Sequence, residues 1–211
     1  DVCSSDLRLL TPTNVVLDGM DSAVAAAWQR ALSLLYAAGV QITEAVVPPF
    51  SELAQINAQG GFTAAEAWAW HRRHIDGAGR LAEYDPRVGT RILRGKDISA
   101  ADYIELLALR QQWIARVQAQ MADHDLMLMP TVPVIAPKIA ELEASDEAYF
   151  AANGLMLRNP TLINFLDGCA LSLPCHRAGE APVGLSLAGT AGQDQRLLSV
   201  ALAVEDLLAR A

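Results

Sequence analysis

Asn14-Val-Val-Leu-Asp-Gly-Met-Asp21 opens the stretch whose reading decides the fold class. Asn14–Leu17 is a short β-prone run, Asp18-Gly19 a turn, and Asp21 a helix N-cap. Val24, Ala27, Trp28, Ala31, Leu35 and Ala38 then recur at helical spacing, and Gly39 stops the helix. Val40–Val47 reads as a second strand, ended by Pro48-Pro49. Strand, helix and strand joined by tight turns are the grammar of a layered α/β domain.

Working outward, Thr63-Ala-Ala-Glu66 has the form of a capping box opening a helix through about Ile75. Ser99-Ala-Ala-Asp102 is a second capping signal. It opens the longest expected helix, about 99–123, with Ile104, Leu107, Ile114, Val117 and Met121 on one face. Asp125–Met129 reads as a buried strand because four apolar residues run together before Pro130. A Pro-rich loop follows to Pro137. Asp146–Met156 reads as a helix, and Pro160–Leu166 as a separate short one beginning at its proline. Ala170–Pro174 and Val183–Ala188 read as strands around a turn with Gly179 and Pro182. A closing helix over 193–209 carries Leu197, Leu198, Ala201, Val204 and Leu208. No internal repeat, low-complexity segment or flexible linker interrupts this order.

Composition narrows the function classes. The 211 residues are 52% hydrophobic and 19% charged, which excludes a disordered chain. The formal charge of −8, without a basic cluster, argues against a nucleic-acid surface. No apolar run approaches the roughly 18–20 residues that cross a bilayer. Three cysteines are too few for a secreted disulfide framework, so the expected setting is reduced and cytoplasmic. The first methionine is Met20, and residues 1–7, Asp-Val-Cys-Ser-Ser-Asp-Leu, match the translation of a sequencing-adapter end (GAC GTG TGC TCT TCC GAT CT). They are expected to be a non-native scar, with the protein proper over 8–211 and its gene cut upstream.

Taken residue by residue, the chain displays no catalytic constellation. His71 and His74 could face one metal ion from a single helix, but no HExxH or third carboxylate accompanies them. The alternative is a solvated basic helix end, which is the expectation, with no metal site. Cys169 and Cys175 have neither redox nor zinc spacing. Cys169 is expected to serve as a small buried apolar residue, with a cysteine nucleophile beside His176 as the other reading. No phosphate-cradling glycine loop and no GxSxG elbow is present, and the only lysines, Lys96 and Lys138, lie away from any Ser/Gly-rich stretch.

The order of motifs toward the C-terminus carries more. Asp125-Leu-Met-Leu-Met-Pro-Thr-Val-Pro133 is followed by Asn164-Phe-Leu-Asp-Gly-Cys-Ala-Leu-Ser-Leu-Pro-Cys175. Pro182-Val-Gly-Leu-Ser-Leu-Ala-Gly189 comes next, then Asp194 and Arg196 through Glu205. This order resembles the C-terminal end of the amidase signature family. Upstream, Glu66–His71, Tyr84–Val88 and Arg91-Ile-Leu-Arg-Gly95 also resemble bacterial amidases of that family. The resemblance covers about 8–211.

It implies an α/β fold in which a mixed β-sheet lies between helical layers, here its incomplete C-terminal part. It implies a cofactor-free amidase that hydrolyses a non-peptide C–N bond of a small amide through a serine nucleophile, a cis-peptide serine and a lysine base. Backbone amides hold the oxyanion. None of that triad has a counterpart in this chain, so no catalytic residue is carried over and the isolated chain is expected to be inactive.

What the resemblance does carry over is one wall of a substrate pocket: Pro130 and Thr131 at a strand end, Arg158 and Asn159 before the next loop, Asn164 within it, and Arg91 toward a substrate carboxylate. Arg91 could instead pair with Asp85 or Glu83, and Asn164 could bond loop backbone. Asp167 and Cys169 depart from the Gly and Pro of the glutamyl-tRNA amidotransferase A subunit. That subunit stands as one alternative function, and a non-catalytic module of the same fold as another. Substrate identity and oligomeric state stay open.

Overall fold

The computed structural model describes residues 6–209. The first five positions of the expected adapter stretch therefore lie outside the described residues. Within that stretch, Leu7 is buried and its carbonyl accepts a hydrogen bond from Gln41 N at 2.9 Å. Two compact units are present: one runs to Ser51 and resumes at Ile114, and the other is Glu52–Trp113.

The first unit is built on a five-stranded mixed sheet in the order β2-β1-β3-β5-β4. Its strands are β1 (Arg8–Pro12), β2 (Gln41–Ala45), β3 (Leu126–Pro130), β4 (Cys169–Pro174) and β5 (Gly184–Gly189). β1 is parallel to β2 and to β3, whereas β5 runs antiparallel to both β3 and β4. The central strand β3, Leu-Met-Leu-Met-Pro, is buried throughout, as its unbroken apolar run requires of a strand covered on both faces. On one face, Leu126, Leu128, Leu185, Leu187 and Leu173 pack with α1 (Ser22–Ala37) and α8 (Asp194–Leu208) through Trp28, Leu35, Leu197, Val200 and Val204. Each such side chain, fully buried, contributes about 1.5–3 kcal/mol, against about 1 kcal/mol for a typical helix cap. The other face meets α7 (Asp146–Leu166), with α6 (Ile139–Glu143) against it. A mixed sheet between helical layers is thus what the chain forms.

Four local expectations are corrected. The first strand is Arg8–Pro12, not Asn14–Leu17. Val15 there takes φ 66°, left-handed backbone that no strand contains, while the Asn14 amide clamps the backbone N–H and C=O of Val47. β2 spans Gln41–Ala45 and so stops short of Pro48-Pro49, which instead start a helix, α2 (Pro48–Ile56), where a first-turn proline forfeits no hydrogen bond. α7 runs unbroken through Pro160. A mid-helix proline costs about 3 kcal/mol, and burial of Leu162, Ile163, Phe165 and Leu166 immediately beyond it offsets that. In α8 the buried stripe is Leu197, Val200, Ala201 and Val204, and Leu198 faces solvent.

The second unit contains α3 (Gly61–Arg72), α4 (Pro86–Leu93) and most of α5 (Ala100–Met121). α3 begins at Gly60, φ 108°, so Thr63 lies inside the helix and the Thr63/Glu66 pattern does not cap it. A π-helical turn, Arg73–Gly77, then carries the coil past Ile75. The Ser99/Asp102 box does form: Ser99 N donates to Asp102 Oδ2 at 2.9 Å and Asp102 N to Ser99 Oγ at 3.1 Å. The buried stripe of α5 is Leu106, Trp113, Val117 and Met121; Ile104 is 67% exposed and Leu107 also faces out.

Candidate substrate cleft

Because β1 and β3 are parallel, their carboxyl ends share one edge of the sheet, and the loops that leave them meet there. Such an edge is where α/β sheets collect ligands. Here the loops are stitched together by side chains. Asp21 caps α1 through Val24 N at 2.8 Å and with its second oxygen accepts from Ile135 N at 2.7 Å. Asp21 N donates to the Pro133 carbonyl at 3.0 Å.

Asn159 makes the most deeply buried of these ties. It is 1% exposed, and its Nδ2 donates both to the Pro130 carbonyl at 2.9 Å and to the Val16 carbonyl at 3.0 Å. Its Oδ1 accepts from Arg158 Nε at 3.1 Å. Both amide hydrogens are spent on backbone, so Asn159 acts by holding the β1 and β3 loops together. The loop it holds contains Val15, whose left-handed backbone costs of order 1–3 kcal/mol for a residue of its kind.

Beside Asn159 lies a cleft of about 260 Å³. Its walls are Met129, Pro160, Ile163 and Ala170; its polar groups are Thr131, Asn164, Ser172 and Ser186, with no charged side chain among them. Ser172 and Ser186 are register partners on β4 and β5, and the Thr131 and Ser172 hydroxyls are hydrogen-bonded at 2.6 Å. Gly184 makes that pair possible, since a Cβ there would collide with Ser172 Oγ and lie 2.6 Å from Thr131 Oγ1. Three hydroxyls and one amide above an apolar floor can orient a neutral polar group such as a carboxamide.

The structure therefore brings Pro130, Thr131, Arg158, Asn159 and Asn164 together in the first unit. Arg91 belongs to the second. Asp85 there caps α4 through Arg87 N and Val88 N, and Glu83 meets His74 and Arg80. Among the described residues neither acid pairs with Arg91. Sequence reasoning missed Ser172, Ser186 and Gly184, which the pairing of two strands with alternating small residues could have signalled. Asp167 takes the left-handed C-cap position of α7, φ 60°, where glycine is the usual occupant.

The other candidate nucleophile finds no activating group. Cys175 lines a separate cleft of about 880 Å³ with Arg30, His176 and Arg177. Its thiol faces the Val183 carbonyl at 3.5 Å, and His176 Nδ1 meets Val183 N at 3.3 Å, so the two side chains are engaged elsewhere. Burial pushes the thiol up from 9.0 to about 11. Iodoacetamide at pH 8 should therefore alkylate Cys175 about 100-fold more slowly than a thiol of ordinary pKa, measured by mass spectrometry of the native chain. The native state holds this proton where the unfolded chain has lost it, so Cys175 contributes stability that declines as pH rises from 9 toward 11. Cys169 is half-buried at the edge of the main core, its thiol 3.6 Å from the Thr190 carbonyl. His71 bonds the Tyr84 hydroxyl at 2.9 Å and His74 the Glu83 carboxylate at 3.2 Å.

A family model described as Amidase matches residues 4–198. The chain belongs to the Amidase family. A 2-amino-5-chloromuconic acid deaminase of Comamonas testosteroni is 32% identical over 203 residues, covering 96% of this chain and 43% of that protein. An indoleacetamide hydrolase of Rhizobium radiobacter is 29% identical over 231 residues, 96% of this chain and 47% of that protein. The chain thus spans less than half the length of these family members. Among solved structures, a variant of the allophanate hydrolase of Kluyveromyces lactis superposes with a TM-score of 0.82 at 23% identity, over 97% of this chain and 32% of that one. That likeness shows the family fold. Among the described residues, no helix is long and apolar enough to cross a membrane.

Proposed function

We propose that this chain is the C-terminal portion of an amidase that adds water across the C–N bond of a small non-peptide amide, giving an acid and ammonia or an amine. The stitched cleft at the carboxyl ends of β1 and β3 carries this reading. The Thr131 and Ser172 hydroxyls and the Asn159 amide are already held in place, so a carboxamide could be oriented there with little loss of protein freedom. Thr131, Asn164 and the Pro130 turn contact the substrate in this reading, and Asn159 positions them. The relatives' reactions, a deamination and an amide hydrolysis, point the same way.

The serine, cis-serine and lysine of the family mechanism lie upstream, outside these residues. Covered by that missing portion, the outward apolar side chains Trp70, Ile104, Ile139 and Leu202 would leave water. Residues 8–211 form part of one amidase domain, and residues 1–7 are an adapter scar, in this reading. The test is ammonia release from a panel of small amides by the product of the complete gene and by the 211-residue chain. Turnover by the complete enzyme and none by the chain is the expected result. Turnover by the chain alone, or an inert complete enzyme, would overturn it.

A further inference from the structure

We infer that Ser186 is a specificity-determining residue whose hydroxyl accepts an N–H of the substrate, so that this site selects amides that carry an N–H over the matching esters. The inference rests on the amidase reading and deepens it by assigning a further contact and the substrate class that contact favours.

β5 sets Ser186 opposite Met129 of β3 on one side and opposite Ser172 of β4 on the other. Residues opposite one another across a sheet project to the same face, so these three side chains stand in one row. All three line the cleft, which Pro160 and Ile163 of α7 also line. Ser186 is only 8% exposed, and among the described residues its hydroxyl has no hydrogen-bond partner. Native chains leave few polar groups both withdrawn from water and unpaired, and one that opens into a cleft is placed for a ligand. Neither neighbour in the row can satisfy it. Met129 offers a thioether, a weak acceptor. Ser172 is turned toward Thr131, 2.6 Å away, across the space that Gly184 leaves open.

The balance of donors and acceptors decides what the ligand supplies. A hydroxyl has one hydrogen and two lone pairs. The bond between Thr131 and Ser172 spends one hydrogen and one lone pair, so the hydroxyl row is left richer in acceptors than in donors. No charged side chain lines the cleft to change that balance. A carboxamide nitrogen brings hydrogens to such a site. An ester of the same acid brings none. The carboxylate product brings none either, and its charge finds no cation in the lining. One hydroxyl row therefore favours the substrate over the product as well as the amide over the ester. Because Ser186 lies inside a strand paired on both sides, its oxygen is held in place before the substrate arrives.

The test uses the complete enzyme with the small amides it turns over, butyramide, benzamide and phenylacetamide first, each paired with its methyl ester. Ser186→Ala should lose about tenfold in kcat/KM on an amide and less than about twofold on its ester, as removal of one neutral hydrogen bond requires. Where an ester binds without being hydrolysed, its Ki as a competitive inhibitor of the amide reaction makes the same comparison. The hydroxyl has no partner in the protein to lose, so the variant should keep the wild-type unfolding temperature within about 2 °C. Equal losses on amide and ester, or no loss on either, would overturn the proposal. A clearly lower unfolding temperature would assign the hydroxyl to a structural bond with the upstream portion of the enzyme and overturn it as well. A wild type that hydrolyses no small amide would instead overturn the amidase reading, and this proposal with it.

Discussion

Replacing Asn159 with Leu should lower the unfolding temperature of the chain by about 10 °C, because the change removes three hydrogen bonds at a site sealed from water. Leucine keeps the branched arrangement of heavy atoms of asparagine and is bulkier, so no cavity complicates the outcome. What remains are the Pro130 carbonyl and the Arg158 Nε–H without their present partners, and a Val16 carbonyl left with only the longer bond from Arg158 Nη2 at 3.4 Å. An unsatisfied buried polar group costs about 1–3 kcal/mol, so the three together cost about 3–5 kcal/mol once the most exposed of them, Arg158, is discounted for rehydration. Total stability for a domain is about 5–15 kcal/mol, so that is a large share of it. Asn159→Asp gives a second measurement. The carboxylate keeps an acceptor for Arg158 but has no hydrogen to donate, so it should destabilise as much or more at neutral pH. Calorimetry or denaturant unfolding reads both, and a loss below about 1 kcal/mol for Asn159→Leu would show that Asn159 is not what holds the two loops.

Gly95→Ala should be nearly as damaging, and its damage should centre on the second unit. Gly95 lies in the short 3-10 turn Arg94–Asp97, packed against α3. A Cβ there would overlap the Ala64 carbonyl oxygen, sit 2.6 Å from its carbon, and sit 2.7 Å from Trp68 Cβ. Backbone cannot rotate away as a side-chain tip can, so α3 and the turn must separate. Overpacking of this kind costs about 1–3 kcal/mol and more where the obstacle is rigid. Separation would also strain the bond from Arg94 to the Ala58 carbonyl, 2.8 Å. Hydrogen exchange should show faster opening across α3 and α4 with the sheet strands unchanged. Uniform acceleration of both units, or none, would contradict it. The closing glycine of Arg91-Ile-Leu-Arg-Gly95 is thus a packing requirement.

The parts of this architecture that the sequence discloses are those in which one local rule acts alone. The Leu126–Met129 run can only be a doubly covered strand, and Asp21 and the Ser99/Asp102 pair can only be caps. Errors arise where two rules compete. The Asn14–Leu17 segment has β-forming residues, but Asn14 binds Val47 and turns the chain. Real strand β1 contains a proline and only two leucines, so its signal is weaker. Pro160 reads as a boundary until the apolar residues beyond it are seen to be buried. In α5 the spacing admits two neighbouring stripes, and only tertiary burial selects Leu106 and Trp113 over Ile104 and Leu107. The cleft was half legible. Thr131, Asn159 and Asn164 follow from motif order, whereas Ser172 and Ser186 join the cleft lining only through strand register.

The reversal of strand direction between β3 and β5 has a consequence for how the chain reaches its folded state. Thr131 N donates to the Gly184 carbonyl across that reversal, and the cleft's ties join residues 29, 41 and 143 positions apart. Each must close a long segment of backbone before it returns any stabilisation, an entropic cost that slows assembly. Helices α1, α5 and α7 can form from neighbours alone, but the cleft cannot. It is complete only after β1, β3, β4 and β5 are all in register, so a lesion anywhere along the sheet delays the site before it shows in helix content.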